Sequence, residues 1–392
     1  MSEQQSRVSQ ALDSLRIELP SWGFANTGTR FGKFLQAEAA TSIEEKFADA
    51  AEVHALTGAA PTLALHVAWD LPGGIRDARR ILDLQAEHGI RAGSINPNLF
   101  EKQEYKFGSV CNPDPRIRRM ALDHLLESVE IAKALRSRDV SVWLADGSNY
   151  PGTQSMRRRI EWLAEALGEA HRALGEDQRL LVEYKPFEPA FYHTDLADWG
   201  MALAMAKEAG EKAFVLVDTG HHYAAQNIEQ IVVWLLREKR LGGFHFNDRR
   251  YADDDLTLGS IDPYQVFRIF HELLSDPAAL ETTAFMVDQS HNLKGKMEAM
   301  VQTVSTAQEI FAKAALVDHE KLAGLQDECR LVEAEECLRA GFWFDVRPLV
   351  REWRRSHGLP EDPLAALRAS GYVDRIRTQR GARNAQAVTS YA

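Results

Sequence analysis

Four segments in the second half of the chain place ionisable side chains at or just past the ends of apolar runs. They are Val182-Glu183-Tyr184-Lys185, Val217-Asp218 with His221 and His222, Phe244-His245-Phe246 with Asp253 and Asp255 beyond it, and Met286-Val287-Asp288. If Glu183, Asp218, His245 and Asp288 converge, three carboxylates crowd together, and their repulsion raises their pKa values unless a cation neutralises them. Oxygen-rich ligation with one imidazole suits Mn²⁺, Mg²⁺ or Co²⁺ better than a structural zinc site, which favours thiolates. His221, three residues after Asp218, would join Asp253 and Asp255 around a second ion, with Asp218 near both.

Each residue alone has a plainer reading. Glu183 and Lys185 sit two apart and would share one strand face as a buried ion pair. His245 would be a core histidine, Asp253 and Asp255 solvated loop acids, Asp218 and Asp288 helix caps. Their occurrence on four successive runs is what favours a site. Two further groups complete it. His66 precedes Trp69 and Asp70, and Asp70 is placed to orient the His66 ring. Trp143 would form an apolar wall, or simply pack, and Lys185 would stabilise negative charge developing on a carbonyl oxygen.

The elements that must carry these residues alternate β and α from about residue 20 to about residue 313. Predicted strands are 21–24, 62–69, 91–95, 140–144, 180–185, 213–218, 242–247 and 284–288. Helical patterns between them include 42–56, 115–135, 154–174, 228–236 and 263–274. Asp114-Pro115 and Asp262-Pro263 read as an N-cap followed by proline at the first helical position, where its missing N–H costs nothing. Eight βα units fit a (β/α)8 TIM barrel, whose active sites lie at the C-terminal strand ends. An open doubly wound sheet would carry a glycine-rich phosphate loop after its first strand, and the glycines after Phe24 lack that spacing.

The predicted organisation is a barrel over residues 1–314, with an N-terminal helix, and a helical extension over residues 315–392. Its aromatic segment 341–355 is expected to pack on the barrel or a neighbouring subunit, and the stretch from about Thr378 to be loose. Basic clusters at 157–159 and 351–355 are read as solvated helix faces. Cys329 and Cys337 are read as one helix face, and with Cys111 they are too scattered for a disulfide framework or a CxxC site.

Composition narrows the partners. The 392 residues include 46 Lys and Arg against 57 Asp and Glu, a net charge of −11, which argues against nucleic acid. No apolar run approaches the roughly 20 residues of a membrane helix, and Met1 to Leu19 lacks a signal-peptide layout, so a cytoplasmic protein is expected.

At these residues the sequence resembles the broad-specificity bacterial L-rhamnose isomerases, within the xylose-isomerase-like barrel superfamily. The resemblance rests on segments 21–24, 29–32, 66–70, 96–100, 105–109, 143–152, 182–189, 217–222, 245–248, 253–257 and 259–264, and so spans most of the chain. It implies a first metal on Glu183, Asp218, His245 and Asp288, and a second, catalytic one near His221, Asp253 and Asp255. It also implies two Mn²⁺ per subunit, Lys185 and His66 on the sugar, Trp22 and Trp143 shaping the pocket, and Phe31 reaching into a neighbouring subunit of a homotetramer.

The reaction so implied interconverts L-rhamnose and L-rhamnulose by moving a hydride between C1 and C2 after ring opening, with His66 backed by Asp70 as the ring-opening relay; proton transfer through an enediol, with water at the catalytic metal as base, is the alternative route. A metal on the two sugar oxygens supplies the Lewis acid. Runner-up readings are a ketose 3-epimerase, an isomerase of another aldose such as D-allose, a barrel-type repair endonuclease, and a catalytically silent sugar-binding protein. The net charge of −11 opposes the endonuclease.

Overall fold

The structure, a computed structural model, describes residues 2–26, 34–188, 192–251, 253, 255–291 and 293–386. Phe31 lies outside the described residues. Eight parallel strands close a barrel: β1 (Ile17–Pro20), β2 (Thr62–His66), β3 (Arg91–Asn96), β4 (Asp139–Val142), β5 (Arg179–Glu183), β6 (Ala213–Asp218), β7 (Leu241–Phe246) and β8 (Ala284–Val287). Each strand pairs with its neighbours in sequence, and β1 pairs with both β2 and β8. Parallel strands covered on both faces read as continuous apolar runs; every residue of β7 is buried.

The surrounding helices are α1 (Glu3–Ser14), α2 (Ile43–Thr57), α3 (Ala78–His88), α4 (Pro115–Leu135), α5 (Met156–Ala173), α6 (Trp199–Ala209), α7 (Ile228–Arg237), α8 (Pro263–Leu274) and α9 (Lys296–Ala315). Their starts follow side-chain chemistry: Asp114 accepts from the Arg116 N–H ahead of α4, and Asp262 from the Gln265 N–H ahead of α8, each with proline in the first turn. Such caps stabilise a helix by about 1 kcal/mol each.

Five helices follow: α10 (His319–Asp327), α11 (Leu331–Trp343), α12 (Arg347–Ser356), α13 (Pro363–Ala369) and α14 (Tyr372–Asn384). They close on the barrel. Phe342 packs against Tyr264 and Phe267 of α8 at ring-centroid distances of 4.8 and 5.4 Å, and Trp353 donates its indole N–H to Asp13 of α1 at 2.8 Å.

Several expectations are corrected. Residues 21–24 are a 3-10 turn; the first strand lies just before them. It was hidden by Glu18, whose carboxylate turns inward and accepts from the Ser94 N–H and hydroxyl at 2.6–3.0 Å. β2 ends at His66, and 67–70 turns into a short helix. β4 and β5 stop at Val142 and Glu183, so Trp143 and Lys185 stand just beyond their strands. The two basic clusters are not wholly solvated: Arg159 is fully buried against Asp195 at 2.8 Å, and Arg354 is buried against Gln308 at 2.7 Å. Cys329 occupies a left-handed turn (φ 54°) before the helix that carries Cys337, so the two do not share a helix face. The chain beyond Thr378 stays helical to Asn384, with Arg380 and Asn384 buried.

Candidate metal centre

β5, β6, β7 and β8 deliver Glu183, Asp218, His245 and Asp288 to the C-terminal mouth of the barrel, and one ligand atom from each lies within 4.8 Å of the others. Glu183, Asp218 and His245 are buried, while the Asp288 side chain is 27% exposed. His245 Nδ1 stands 3.2 Å from Glu183 Oε2, 3.9 Å from Asp218 Oδ2 and 3.7 Å from Asp288 Oδ2.

Two of the four carboxylate and imidazole groups are held by neighbours. Asp218 Oδ1 accepts from the Gly220 N–H at 2.6 Å and from Asn247 Nδ2 at 3.0 Å. A Cβ on Gly220 would meet Asn247 Oδ1 at 2.6 Å, so a side chain there would displace the residue that steadies Asp218. Trp22 donates its indole N–H to Asp288 Oδ1 at 2.8 Å.

The orphaned atoms test whether a cation fits. Among the described residues, Asp218 Oδ2 is buried with no hydrogen-bond partner, and His245 Nδ1, though 3.2 Å from Glu183 Oε2, is not aligned for a hydrogen bond to it. A buried carboxylate oxygen left unpaired is costly, and a divalent ion would satisfy both atoms at once. The electrostatics of the cluster agree. Burial, then Glu183 and Asp288, push Asp218 up to about 7 against the opposing pull of His221 and His245. Burial would lower His245, but Glu183, Asp288 and Asp218 override it and push it up to about 10. Without a metal, the carboxylates hold a proton on the imidazole where a cation would otherwise sit.

A second cluster adjoins the first. His221 Nδ1 lies 3.0 Å from the Tyr184 carbonyl, so that nitrogen carries the hydrogen and Nε2 faces Asp253 Oδ1 at 3.2 Å. Burial lowers His221, but Asp218, Asp253 and Glu183 together push it up to about 9. Asp255 takes a left-handed backbone (φ 48°), which aspartate tolerates better than most residues. Burial, followed by Asp253, Asp288 and Asp218, drives its carboxyl well above the usual range. Lys185 Nζ contacts Asp253 Oδ2 at 2.6 Å and Glu188 Oε2 at 3.1 Å, and lies 5.1 Å from the Trp143 ring centroid. Asp253 therefore faces both Lys185 and His221.

His66 lines the other side of the mouth. Its ring stacks on Trp69 at 3.6 Å, with the edges of Phe100 at 5.7 Å and Trp22 at 6.2 Å. Asp70 does not orient that ring. The helical turn after His66 folds Asp70 back so that Oδ2 accepts from the His66 backbone N–H at 2.8 Å and from the Ser21 hydroxyl, while Oδ1 meets Lys46 Nζ at 2.6 Å. Burial, then His124 and Lys46, bring His66 down to about 3, which makes it a neutral imidazole at physiological pH.

The sequence reading passed over the residues that do the holding. Asn247 follows His245 at the strand period of two, which is the one signal that points to it. The Arg249 guanidinium ties the turn after β6 through the carbonyls of Thr219, His222 and Tyr223 at 2.7–3.1 Å. Tyr184 places its hydroxyl 2.6 Å from His222 Nε2.

A parallel eight-stranded barrel with carboxylates and imidazoles gathered at its C-terminal mouth defines a class, and comparison with known proteins agrees. The family described as Xylose isomerase-like TIM barrel matches residues 48–300, and the chain belongs to it. A probable sugar isomerase of Mesorhizobium japonicum is 39% identical over 398 residues, covering 97% of this chain and 91% of that protein. A second, from Rhizobium meliloti, is 40% identical over 374 residues, covering 93% and 86%. The crystal structure of a D-allulose 3-epimerase from Methylomonas sp. superposes with a TM-score of 0.53 at 17% identity, over 76% of this chain and 98% of that one, a likeness of fold. Among the described residues no helix is long and apolar enough to cross a membrane.

Proposed function

We propose that the protein is a metal-dependent aldose–ketose isomerase that interconverts L-rhamnose and L-rhamnulose. The observation that carries the reading is the convergence of Glu183, Asp218, His245 and Asp288 from four successive strand ends. The full-length similarity to probable sugar isomerases supports the reaction class.

Glu183, Asp218, His245 and Asp288 would hold one divalent ion, and His221, Asp253 and Asp255 a second beside Asp218, with Mn²⁺ the preferred metal. When bound, the metal supplies Lewis-acid polarisation of the sugar's carbonyl and hydroxyl oxygens. The chain's own residues do the rest. Lys185, held 2.6 Å from Asp253 Oδ2, stabilises negative charge as it grows on the carbonyl oxygen. His66, neutral and clamped by Trp69, can accept a proton on one nitrogen while donating from the other, as ring opening requires. Trp22, Phe100 and Trp143 exclude water from that side of the mouth, and the hydrogen then passes between C2 and C1 as a hydride.

We further assign residues 1–314 to the catalytic barrel and 315–392 to an extension that packs on it and contributes contacts in a cytoplasmic homotetramer. Leu331, Val332 and Trp343 of α11 are each more than 70% exposed and would supply apolar surface for such contacts.

The test is turnover of L-rhamnose in D₂O by chelator-stripped protein, before and after Mn²⁺, followed by NMR. L-rhamnulose formed only with metal, without deuterium at C1, is the expected result. Absence of turnover by metal-loaded protein would remove the rhamnose assignment, and conversion of a ketose at C3 instead would replace it with epimerisation.

A further inference from the structure

Of the four residues in the first cluster, Asp288 is the least enclosed, and the Trp22 indole is the group seen to orient its carboxylate. Trp22 lies in the 3-10 turn after β1, and that turn is stitched back by a bridge between Ala25 and Ala40, with the Ala40 N–H donating to the Phe24 carbonyl at 2.8 Å. The bridge joins the departing end of that turn, at Ala25, to the residues returning toward α2, at Ala40.

Both sides of the bridge are held by α14, the last helix described. Asn384 Nδ2 donates to the carbonyls of Ala37 and Ala39, each at 2.9 Å, on the returning side. Asn384 Oδ1 accepts from Asn26 Nδ2 at 2.8 Å on the departing side. Asn26 in turn accepts from the Gln36 N–H at 2.9 Å, and Gln36 Nε2 reaches the His291 carbonyl at 3.0 Å, three residues past Asp288. One turn earlier, Arg380 donates to the Glu38 carbonyl at 2.8 Å and pairs with Asp49 of α2 at 2.8 and 3.0 Å, which fixes α14 on the barrel. An amide is the group this position needs, because it must donate twice and accept once. Asn384 is buried, so water cannot readily replace those bonds.

We propose that Asn384 is a positioning residue for the metal centre: it fixes both ends of the segment that follows β1 and so holds Trp22 where it orients Asp288. The inference rests on reading the cluster as a divalent-metal site. It makes the end of the helical extension part of the centre, more than 90 residues beyond the last ligand in sequence.

The test is Co²⁺ titration of the full-length protein, followed by calorimetry and by the visible absorption that reports cobalt geometry. Asn384→Ala should raise the Co²⁺ Kd about tenfold, the low end of what residues holding metal ligands contribute, and alter the visible band. Asn384→Asp should be worse than Asn384→Ala, because it turns a carboxylate oxygen on two carbonyls. Asn26→Ala should match Asn384→Ala, and the double variant should be little worse than either alone. Trp353→Phe, which loosens the extension elsewhere by losing the bond to Asp13, should lower Tm but leave Co²⁺ Kd and spectrum unchanged. A folded Asn384→Asp protein with wild-type Co²⁺ binding would overturn the inference; should that variant fail to fold, wild-type binding by Asn26→Ala overturns it. Wild-type protein that binds no Co²⁺ would overturn the metal-site reading, and this inference with it.

Discussion

Replacing Asp218 with asparagine should stabilise the metal-free protein while removing most of the stabilisation that metal provides. The side chain is fully buried, with Oδ1 satisfied by Gly220 and Asn247 and Oδ2 unpartnered. An amide keeps the Oδ1 acceptor and loses the charge. Asp218 is raised from 3.8 to about 7 by burial and by Glu183 and Asp288. At 1.36 kcal/mol per tenfold change, that amounts to about 4 kcal/mol of strain in the ionised form. A carboxyl raised in the folded state contributes stability at low pH and loses it as pH climbs through the raised value, so the full cost is present at pH 8 and less than half at pH 5.

With an unfolding entropy of about 2.1 cal/mol/K per residue, the 392-residue chain would gain about 5 °C in Tm at pH 8 on removing the charge. Metal at 100 times its Kd should add about 2.7 kcal/mol to the wild type, worth about 3 °C, and under about 0.5 kcal/mol to a variant whose affinity has fallen 100-fold or more. Differential scanning calorimetry at pH 8 and pH 5, chelated and with Mn²⁺, separates the two effects. A chelated variant that melts below wild type at pH 8, or an undiminished Mn²⁺ increment, would refute the reasoning.

Other consequences are open to measurement. Lys185→Met should retain metal by calorimetry yet lose about 10²–10³ in kcat; an unchanged turnover number removes its proposed role. His66→Gln should cost about 10²–10⁴ in kcat on ring-closed sugar. Because His66 is lowered to about 3, the wild-type kcat/KM profile should show no acid limb from it between pH 5 and 8; a limb near 6.5 that vanishes in the variant would show that His66 titrates there. Metal affinity should rise about tenfold per pH unit between pH 7 and 9 as the proton on His245, raised to about 10, is displaced. Calorimetry in buffers of different ionisation enthalpy counts that proton, and a pH-independent affinity contradicts the account. For the chelated protein the sign reverses: the pairings that raise His221 and His245 stabilise fully below 6.5 and are lost as pH passes 9 to 10, so its Tm should fall across that window.

The barrel was legible because buried parallel strands are apolar on both faces and their ends are marked by a change of chemistry. β6 runs Ala213 to Val217 before Asp218, and no open-sheet signal competes with it. β1 was misplaced for the converse reason: Glu18 interrupts the apolar pattern, and the Ser94 donors inside the barrel offset part of the cost of burying it. Spacing also misled at Asp70. Four residues from His66 is the separation that lets a helical turn return, and it does return, but to the backbone N–H and not to the ring. Charge alone hid the burial of Arg159 and Arg354, because a guanidinium surrounded by acceptors looks in sequence like any surface arginine.

That difference separates the groups that bear charge from those that place it. Glu183, Asp218, His245 and Asp288 stand out because an ionisable side chain after an apolar run is expensive unless something neutralises it. Asn247, Trp22 and Asn384 carry no such signature, since a neutral amide or indole costs little to expose and becomes valuable only through the atoms it meets on folding. Asn247 steadies Asp218 from just past the end of β7, Trp22 steadies Asp288 from the turn after β1, and Asn384 steadies that turn from the other end of the chain. Metal affinity should therefore respond to neutral substitutions at positions of widely separated sequence number, and less to charge changes on the exposed helix faces, where ion pairs such as Arg79–Asp83 contribute under about 1 kcal/mol.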